Sequence, residues 1–278
     1  MNGGVSIIVP AMNEEGNIEG AVRSVMTAAA CLEQYEIIVV DDGSTDGTKQ
    51  VVSDLIATLA EENPAGASVV RLVCHPVNRG LRAAYETGLA EVRMHYVTWV
   101  PGDNEMALES VGRILAAIGK ADLVVPYHGT PWLRPWFRRL LTWGSTTQMN
   151  VLFLKRLHYY QGPVVYPVAL ARSLPRTIPG FFCMAEMLLH ALAAGYTYVQ
   201  VPLTHQERAY GTSKAVGAGK IWDAQLAIVR FWWRIKVLGQ IQALRIPGTG
   251  SLPGTSSVAG QAGRASAESI SGSGELAA

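Results

Sequence analysis

Carboxylates follow two apolar runs of the sequence, and they are the side chains best suited to chemistry. The pair Asp41-Asp42 follows the β-branched run 37–40, and Asp103 and Glu105 follow the apolar run 96–100. Neighbouring carboxylates repel each other unless a ligand or a cation offsets the cost. Two carboxylates at i and i+2 of an extended segment project from the same side, which suits a divalent cation with oxygen ligands.

Each acidic group also has a purely structural interpretation. Asp41, Asp42 and Asp46 could be loop and cap residues, and Asp103 with Glu105 could be the acidic first turn of a helix. We prefer the structural interpretation for Asp46 and the functional one for Asp41-Asp42. For Asp103 and Glu105 taken alone, the two are about even. The carboxyl ends of separate strands can converge on one crevice, so together these groups favour a nucleotide–metal site.

The apolar pattern predicts the elements that position these acids. Runs of β-branched residues, typical of strands buried on both faces, alternate with helical spacing over the first 126 residues. This alternation predicts a mostly parallel, doubly wound α/β sheet with helices on both faces. Asn13 is predicted to cap the first helix, with Glu14 and Glu15 in its first turn. Gly-x-Gly-x-x-Gly and Gly-Lys-Ser/Thr loops are both missing from the sequence, which removes the main support for a dinucleotide or P-loop site.

The second half of the sequence is richer in aromatic and basic residues. Amphipathic helices are predicted over 135–157 and about 221–238, with a helix over 183–194 and a strand over 198–201 between them. Six of the seven tryptophans lie between positions 132 and 233. Tryptophan with interleaved arginine and lysine favours helices that lie in a membrane interface. Packing of the same helices on the sheet domain is the competing explanation.

The composition limits the domain organisation. With 278 residues, nearly half of them apolar, the chain can form one large domain with an extension. We predict a catalytic domain over 1–214, an interfacial amphipathic helix over 215–246 and a disordered tail over 247–278. A first strand that begins near residue 5 leaves no room for a signal peptide, and no apolar run is long enough to span a membrane.

Charge and cysteine usage narrow the partners and the compartment. The formal net charge of +1 supplies no basic field for nucleic acid. The three cysteines are widely spaced and suggest neither a zinc site nor a disulfide framework, which favours a reducing cytoplasm. We therefore expect a cytoplasmic protein whose membrane contact is peripheral, on the inner face.

Several motifs occur in a fixed order along the chain. They are residues 9–15 (Val-Pro-Ala-Met-Asn-Glu-Glu), residues 40–48 (Val-Asp-Asp-Gly-Ser-Thr-Asp-Gly-Thr), Asn78-x-Gly80 with Ala84 and Gly88, the Asp103 segment, Glu186, and Arg208-x-Tyr210-Gly211-x-Ser213-Lys214. In this order and spacing, the sequence strongly resembles the family 2, GT-A-fold glycosyltransferases over roughly residues 5–236. It is most similar in these motifs to the dolichyl- and polyprenyl-phosphate sugar synthases, which include mannose synthases.

The resemblance implies a GT-A fold and a nucleotide-sugar donor, linked to UDP or GDP. The donor-binding residues that it implies are Pro10, Met12, Glu14, Val40, Asp42, Gly102, Asp103, Arg208 and Lys214. Residues of the first two motifs would line the base and ribose, with Asp42 accepting a base N–H. Asp103, assisted by Glu105, would hold Mg²⁺ or Mn²⁺.

Arg208 and Lys214 would clamp the diphosphate and stabilise charge on the departing nucleotide, as part of a mobile lid. An ordinary solvated loop is the alternative for these two residues. The sequence departs from the family pattern in three places. Pro101 stands where the metal motif usually begins with aspartate, Met12 replaces a tyrosine, and residues 159–163 replace a segment that often reads Asp-x-x-Ser-Gly-Phe-Arg.

The resemblance also implies inversion at the anomeric carbon by in-line displacement. A polyprenyl phosphate acceptor is already largely ionised near neutral pH and needs cations rather than a base. Arg134, Arg138 and Arg139 are the candidates for that task, although each could be a solvated basic residue. A hydroxyl acceptor would need a carboxylate base, and Glu186 is the candidate, although it could equally be a structural carboxylate that pairs with a loop cation.

Three functions follow from these expectations. The leading one is an inverting transferase that moves a sugar from a nucleotide-sugar to a polyprenyl or dolichyl phosphate at the membrane surface. The second is a related transferase that acts on a saccharide or small-molecule hydroxyl. The third, suggested by Pro101, is an inactive paralogue that binds nucleotide-sugars. Retention of both Arg208 and Lys214 argues against the third, because a binding protein has less need to stabilise a leaving group.

Overall fold

A computed structural model describes the greater part of the chain. The described residues are 3–62, 69–130, 136–178, 180, 182–204, 206, 228–230 and 232–233, with backbone alone at 137 and 138. All of them belong to one compact unit, Met1–Arg245. The predicted tail over 247–278 and most of the predicted helix over 215–246 lie outside the described residues. The predicted domain boundaries therefore stay predictions.

Strands and helices alternate along the described chain. The strands are β1 (Val5–Ala11), β2 (Tyr35–Asp41), β3 (Val70–Cys74), β4 (Tyr96–Trp99), β5 (Leu123–His128), β6 (Tyr166–Pro167) and β7 (Tyr198–Leu203). The helices are α1 (Ile18–Ala29), α2 (Thr48–Glu62), α3 (Leu81–Glu91), α4 (Leu108–Leu115), α5 (Trp136–Phe153), α6 (Val168–Ser173) and α7 (Phe182–Ala193).

The sheet brings most of the strand carboxyl ends to one edge. Its larger part has the order β3-β2-β1-β4-β6, in which β6 alone is antiparallel to its neighbour. A second, parallel pair β5-β7 is joined to it by an antiparallel bridge between Val124 and Val165. Two antiparallel steps separate β4 from β5, so these two strands point the same way. The predicted mostly parallel α/β architecture is confirmed.

The core explains why the central strands are apolar at almost every position. Ile7 and Val9 of β1 face one side and pack in the cluster that contains Ile18 and Val22 of α1. On the other side, α3 approaches so closely that a Cβ on Gly88 would lie 2.5 Å from Cγ2 of Ile8. Helices on both faces leave no solvent face for polar residues. Each fully buried Ile or Val contributes about 1.5–3 kcal/mol.

Two local features differ from the sequence-based expectation. The first helix begins at Ile18 rather than at Glu14, and Asn13 adopts a positive φ of 56° outside it. Residues 158–165 run antiparallel between β4 and β5, where the sequence predicted only a divergent motif. In both places tertiary contacts decide the conformation, which a local pattern cannot show.

The antiparallel segment 158–165 is fastened to the end of α5. The side chain of Asn150 accepts a hydrogen bond from the Leu157 N–H at 2.9 Å and donates one to the Leu157 carbonyl at 2.8 Å. The Tyr160 hydroxyl also donates to Asn150 Oδ1, at 2.8 Å. These bonds fix where α5 ends relative to the sheet.

The opposite, amino-terminal edge carries a buried carboxylate of purely structural character. Glu36 accepts hydrogen bonds from the Ser6 hydroxyl (2.5 Å), the Arg93 N–H (2.7 Å) and the Arg71 guanidinium (2.8 Å). Burial alone would raise the pKa of Glu36, but these hydrogen bonds outweigh it and place the pKa below its ordinary value. This network ties β1, β2 and β3 together.

The variant Glu36→Gln should lose about 2 kcal/mol of unfolding free energy at pH 7, because one charge-assisted partner of Arg71 disappears. A carboxyl whose pKa is lower in the folded state stabilises the fold above its unfolded pKa of about 4.3. That contribution is lost as the pH falls through the folded pKa. Urea unfolding from pH 7 to pH 3 should therefore show the wild-type and variant curves converging at the acid end. A constant difference across the range would contradict the assignment.

Candidate active site

The loops that follow β1 and β2 are joined by hydrogen bonds in both directions. The Asn13 N–H donates to the Ser44 hydroxyl at 2.9 Å, and the Thr45 N–H donates to Asn13 Oδ1 at 2.8 Å. Glu15 accepts from the Gly47 N–H at 2.6 Å. These bonds explain why Asn13 does not cap α1. They also hold the Pro10–Glu14 segment beside the Val40–Asp42 segment. A nucleotide site lined by the motifs at 9–15 and 40–48 requires this proximity.

Asp46 and Asp41 have structural partners within their own loop. Asp46 accepts from the N–H and the hydroxyl of Thr48, the first residue of α2, and so caps that helix as expected. Asp41 is buried and accepts from the Ser44 N–H at 3.2 Å.

Asp42 organises the loop that follows β3. Its Oδ1 accepts from His75 Nδ1 at 2.7 Å and from the Arg79 N–H at 2.9 Å, and its Oδ2 accepts from the Gly80 N–H at 2.8 Å. The two neighbouring carboxylates therefore do not need a ligand to offset their repulsion, contrary to the sequence-based expectation, and ligand binding by Asp42 stays a prediction. The protein's own donors provide much of that compensation. A carboxylate oxygen accepts two hydrogen bonds, and the described part of the chain supplies only one to Oδ2.

Gly43 allows the β2 and β3 loops to meet. Its φ is +71°, and an added Cβ would lie 2.4 Å from the carbonyl carbon of Val77 and 2.5 Å from the backbone nitrogen of Asn78. Only glycine tolerates both the conformation and the contact. The motif that contains Asn78 and Gly80 therefore packs directly on the β2 motif.

The Asp103 loop lies on the other side of β1. The Gly102 N–H donates to the Pro10 carbonyl at 3.1 Å, and a Cβ on Gly102 would lie 2.9 Å from Cδ1 of Ile18. Asp103 Oδ1 accepts from the Glu105 N–H at 3.1 Å, and Asn104 has a φ of 56°. The segment is therefore a turn, and the expectation that the two carboxylates project from the same side of an extended segment was wrong. Both acidic strand ends therefore adjoin the β1 loop, one on each side of it. The structure brings the two groups to the same edge.

Gln206 is a site residue that the sequence reasoning missed. Its N–H donates to the Glu105 carbonyl at 2.8 Å, and its side-chain Nε2 donates to the Asn104 carbonyl at 2.8 Å. Gln206 is two residues before Arg208, and that proximity was the only available signal. The chain leading to the predicted lid thus starts against the Asp103 loop. Arg208 and Lys214 themselves lie outside the described residues.

The donor set at this edge suits a small, hard cation. Among the described residues there is no group of three or more His, Cys, Asp or Glu side chains that could hold a metal ion. Asp103 and Glu105 are two carboxylates on one partly exposed loop. Mg²⁺ and related ions commonly use one or two carboxylates and complete their coordination with water and substrate phosphate oxygens. The residues present fit that arrangement.

Glu186 is deeply buried in α7. It accepts from the Thr177 N–H at 2.6 Å, the Thr177 hydroxyl at 2.5 Å and the Ile178 N–H at 2.9 Å, and it is 1% exposed. Three donors from one loop give it the structural role that the sequence left open, although its partners are not the expected cations. That Glu186 acts as the general base for a hydroxyl acceptor stays a prediction, and these contacts do not favour it.

The surface of α5 is unusually apolar. Most of its exposed large apolar side chains form a stripe at helical spacing, from which Leu141 is set apart. We call this set the α5 stripe: Trp136, Leu140, Trp143, Val151 and the adjacent Leu154. Arg139 is exposed beside the stripe, the side chain of Arg138 is not described, and Arg134 lies outside the described residues. Trp232 donates from Nε1 to the Leu152 carbonyl at 2.9 Å, which places part of the predicted last helix against α5. None of the described helices combines the length and the hydropathy that a membrane crossing requires.

The doubly wound sheet and its acidic carboxyl edge define an α/β protein of the class that binds ligands beyond the ends of its strands. The model of the family Glycosyl transferase family 2 matches residues 6–174, and the chain belongs to that family.

Two relatives and one solved structure are similar to the chain. It is 29% identical over 229 residues to polyprenol monophosphomannose synthase of Mycolicibacterium smegmatis. That match covers 76% of this chain and 81% of the relative. The chain is 27% identical over 240 residues to undecaprenyl-phosphate mannosyltransferase of Micrococcus luteus, covering 82% and 93%. Glucosyl-3-phosphoglycerate synthase of Mycobacterium tuberculosis, solved with Mn²⁺, UDP and phosphoglyceric acid, superposes with a TM-score of 0.61 at 19% identity, covering 84% and 78%. The predicted GT-A fold is confirmed.

Proposed function

We propose that this chain transfers a sugar from a nucleotide-sugar to a polyprenyl phosphate at a membrane surface. The observation that carries the proposal is the convergence of three loops, 10–15, 40–46 and 101–105, on one edge of the sheet. The names of the two relatives, a polyprenol monophosphomannose synthase and an undecaprenyl-phosphate mannosyltransferase, support the acceptor class.

The donor would lie across the β1 loop. Pro10, Met12 and Glu14 would line its base and ribose from one side, and Val40 and Asp42 from the other. Asp42 Oδ2 has an acceptor position for a base N–H, because only Gly80 donates to it within the described chain. The interlocked loops hold these groups in place before the donor arrives, so little ordering cost is paid on binding.

The diphosphate would lie toward Gly102 and Asp103. Asp103 and Glu105 would hold Mg²⁺ or Mn²⁺ there, and the solved relative with Mn²⁺ and UDP supports this assignment. When bound, such a cation neutralises charge on the diphosphate. Arg208 and Lys214 would add fixed positive charge where the nucleotide departs. The position of Gln206 against the Asp103 loop supports a lid that starts at this point.

The acceptor chemistry agrees with the geometry of Glu186. A phosphate oxygen is already largely ionised near neutral pH and attacks without a base. A hydroxyl needs one, and Glu186 is occupied by three donors from its own loop. Arg134, Arg138 and Arg139 remain our candidates for holding the acceptor phosphate.

The α5 stripe would provide the membrane contact. Exposed apolar surface of this kind, with tryptophan and a neighbouring arginine, suits the interface between headgroups and acyl chains. Peripheral association would bring the enzyme to a lipid-linked acceptor.

The double variant Trp136→Ser/Trp143→Ser should bind anionic phospholipid vesicles at least about tenfold more weakly, because two exposed indoles no longer insert. Vesicle co-sedimentation measures this, with Val77→Ser as a control that removes an exposed apolar side chain elsewhere. Transfer to a short, water-soluble polyprenyl phosphate should be unchanged. Equal vesicle binding by the double variant and the wild type would refute the membrane role of the stripe.

A donor and acceptor panel tests the function. UDP- and GDP-sugars are offered with Mg²⁺ or Mn²⁺, each with and without a short-chain polyprenyl phosphate, and nucleotide release is measured. Release that depends on the lipid phosphate establishes the proposal and identifies the donor. Release that is indifferent to lipid would assign a hydroxyl acceptor, and nucleotide binding without turnover across the panel would indicate an inactive paralogue.

A further inference from the structure

His75 is a buried polar residue that the mechanism above does not use. It follows β3 directly, is 7% exposed, and donates its backbone N–H to the Asp41 carbonyl at 2.8 Å. Its ring lies between two polar groups on different elements: Nδ1 is 2.7 Å from Asp42 Oδ1, and Nε2 is 2.9 Å from the Thr87 hydroxyl of α3. It thus links the end of β2 to α3.

The hydrogen-bond partners fix the tautomer of the ring. An ionised carboxylate only accepts hydrogen bonds, so Nδ1 must carry the proton that points to Asp42. Nε2 then accepts from the Thr87 hydroxyl when the ring is neutral. Both ring nitrogens are satisfied in this arrangement, which is the usual requirement for a buried polar side chain.

The same bond settles which oxygen of Asp42 remains for a ligand. Oδ1 accepts from both His75 and Arg79 and has no acceptor position left. Oδ2 accepts from Gly80 and keeps one. His75 therefore bonds to the same carboxylate that accepts from the Arg79 and Gly80 N–H groups of the 76–80 turn.

We propose that His75 is a positioning residue for the donor, which acts through Asp42 to set the acceptor oxygen and the turn at the nucleoside end of the site. This inference rests on the proposed function, since it assumes that the nucleoside lies against Asp42. It deepens that function by identifying a residue, His75, that sets the affinity for the donor through Asp42.

Kinetics and nucleotide binding of His75→Leu test the proposal. We expect the donor KM and the Kd of the matching nucleoside diphosphate to rise about tenfold, with kcat within about twofold of wild type. His75→Asn keeps an N–H near the position of Nδ1 and should restore most of the affinity. Thr87→Val removes only the partner of Nε2 and should have the smaller effect.

Two controls separate positioning from mere support of the fold. Glu36→Gln weakens the other end of β2 and should lower Tm while leaving the donor KM unchanged. His95→Leu removes an exposed histidine at the opposite edge of the sheet and should change neither quantity. In the wild type, ¹⁵N NMR of the histidine rings should show His75 protonated at Nδ1, which does not depend on any variant folding.

The outcomes are distinguishable from those of the function itself. A donor KM and a nucleotide Kd within about twofold of wild type for folded His75→Leu would overturn the positioning role while leaving the transferase intact. A ring protonated at Nε2 alone, with no proton on Nδ1, would overturn it as well. If the wild type binds a nucleoside diphosphate but transfers no sugar, the proposed function fails, and the comparison of Kd values still decides the role of His75.

Discussion

Replacing Asp103 with asparagine should lower kcat/KM for sugar transfer by on the order of 10³-fold, with the fold intact. Asp103 is the carboxylate that our proposal places at the diphosphate, and Pro101 leaves no family aspartate two residues before it. Asparagine can still accept the hydrogen bond that the Glu105 N–H donates, so the loop geometry should survive. Activity is followed by nucleotide release at saturating acceptor.

Nucleotide binding to Asp103→Asn can be measured independently of its activity. The affinity of the wild type for UDP or GDP should increase when Mn²⁺ is added, and that increase should disappear in Asp103→Asn. Glu105→Gln should show a smaller loss of both quantities. Asp54→Asn, which changes an exposed carboxylate on α2, is the matched control and should behave as wild type. A manganese dependence that survives in Asp103→Asn would place the cation elsewhere.

The variant Glu186→Gln should be destabilised by about 2–3 kcal/mol and lose roughly 5–10 °C in Tm, while transfer to a lipid phosphate stays within about tenfold of wild type. The carboxylate accepts three hydrogen bonds from Thr177 and Ile178 in a buried position. A glutamine amide has an NH₂ group in place of the oxygen that accepts from the Thr177 hydroxyl, and it carries no charge to strengthen the bonds from the two N–H groups. The loss is therefore mainly of stability.

The same variant discriminates between the two acceptor classes. If Glu186 were the base for a hydroxyl acceptor, kcat would fall by about 10²–10⁴-fold even below the melting temperature. Thermal unfolding and kcat are measured on one preparation at a temperature where the variant is folded. Thr177→Val removes the hydroxyl partner alone and should reproduce part of the stability loss with unchanged kcat. A large loss of kcat in Glu186→Gln without a loss of Tm would contradict the structural role.

The sequence predicted the sheet because its signal is periodic and repeated. Apolar runs at 5–9 and 37–40 can only be strands covered on both faces, and both are buried in β1 and β2. Both acidic groups were correctly placed at strand ends, since the change from apolar run to turn residues is local. Those inferences need no knowledge of the neighbouring elements.

The sequence could not predict contacts between residues that are far apart in the chain. Asn13 looked like a helix cap because its partner, Thr45, lies 32 positions away. The pair Asp41-Asp42 seemed to need a ligand because the donors from His75, Arg79 and Gly80 were not visible. Gln206 became a site residue only when β7 was placed beside the Asp103 loop. Each of these depends on topology, which periodicity does not encode.

The hydrogen bonds between Asn150 and the segment that follows α5 have a consequence for how the two substrates would meet. Because α5 ends at Phe153 and the segment from 158 onward runs away from the carboxyl edge of the sheet, the carboxyl end of α5 lies close to that edge. If the enzyme rests on its α5 stripe, as we propose, this end of the helix would hold the carboxyl edge of the sheet near the bilayer. The lipid phosphate could remain among the headgroups throughout the reaction. Only the nucleotide would travel, arriving from and returning to water.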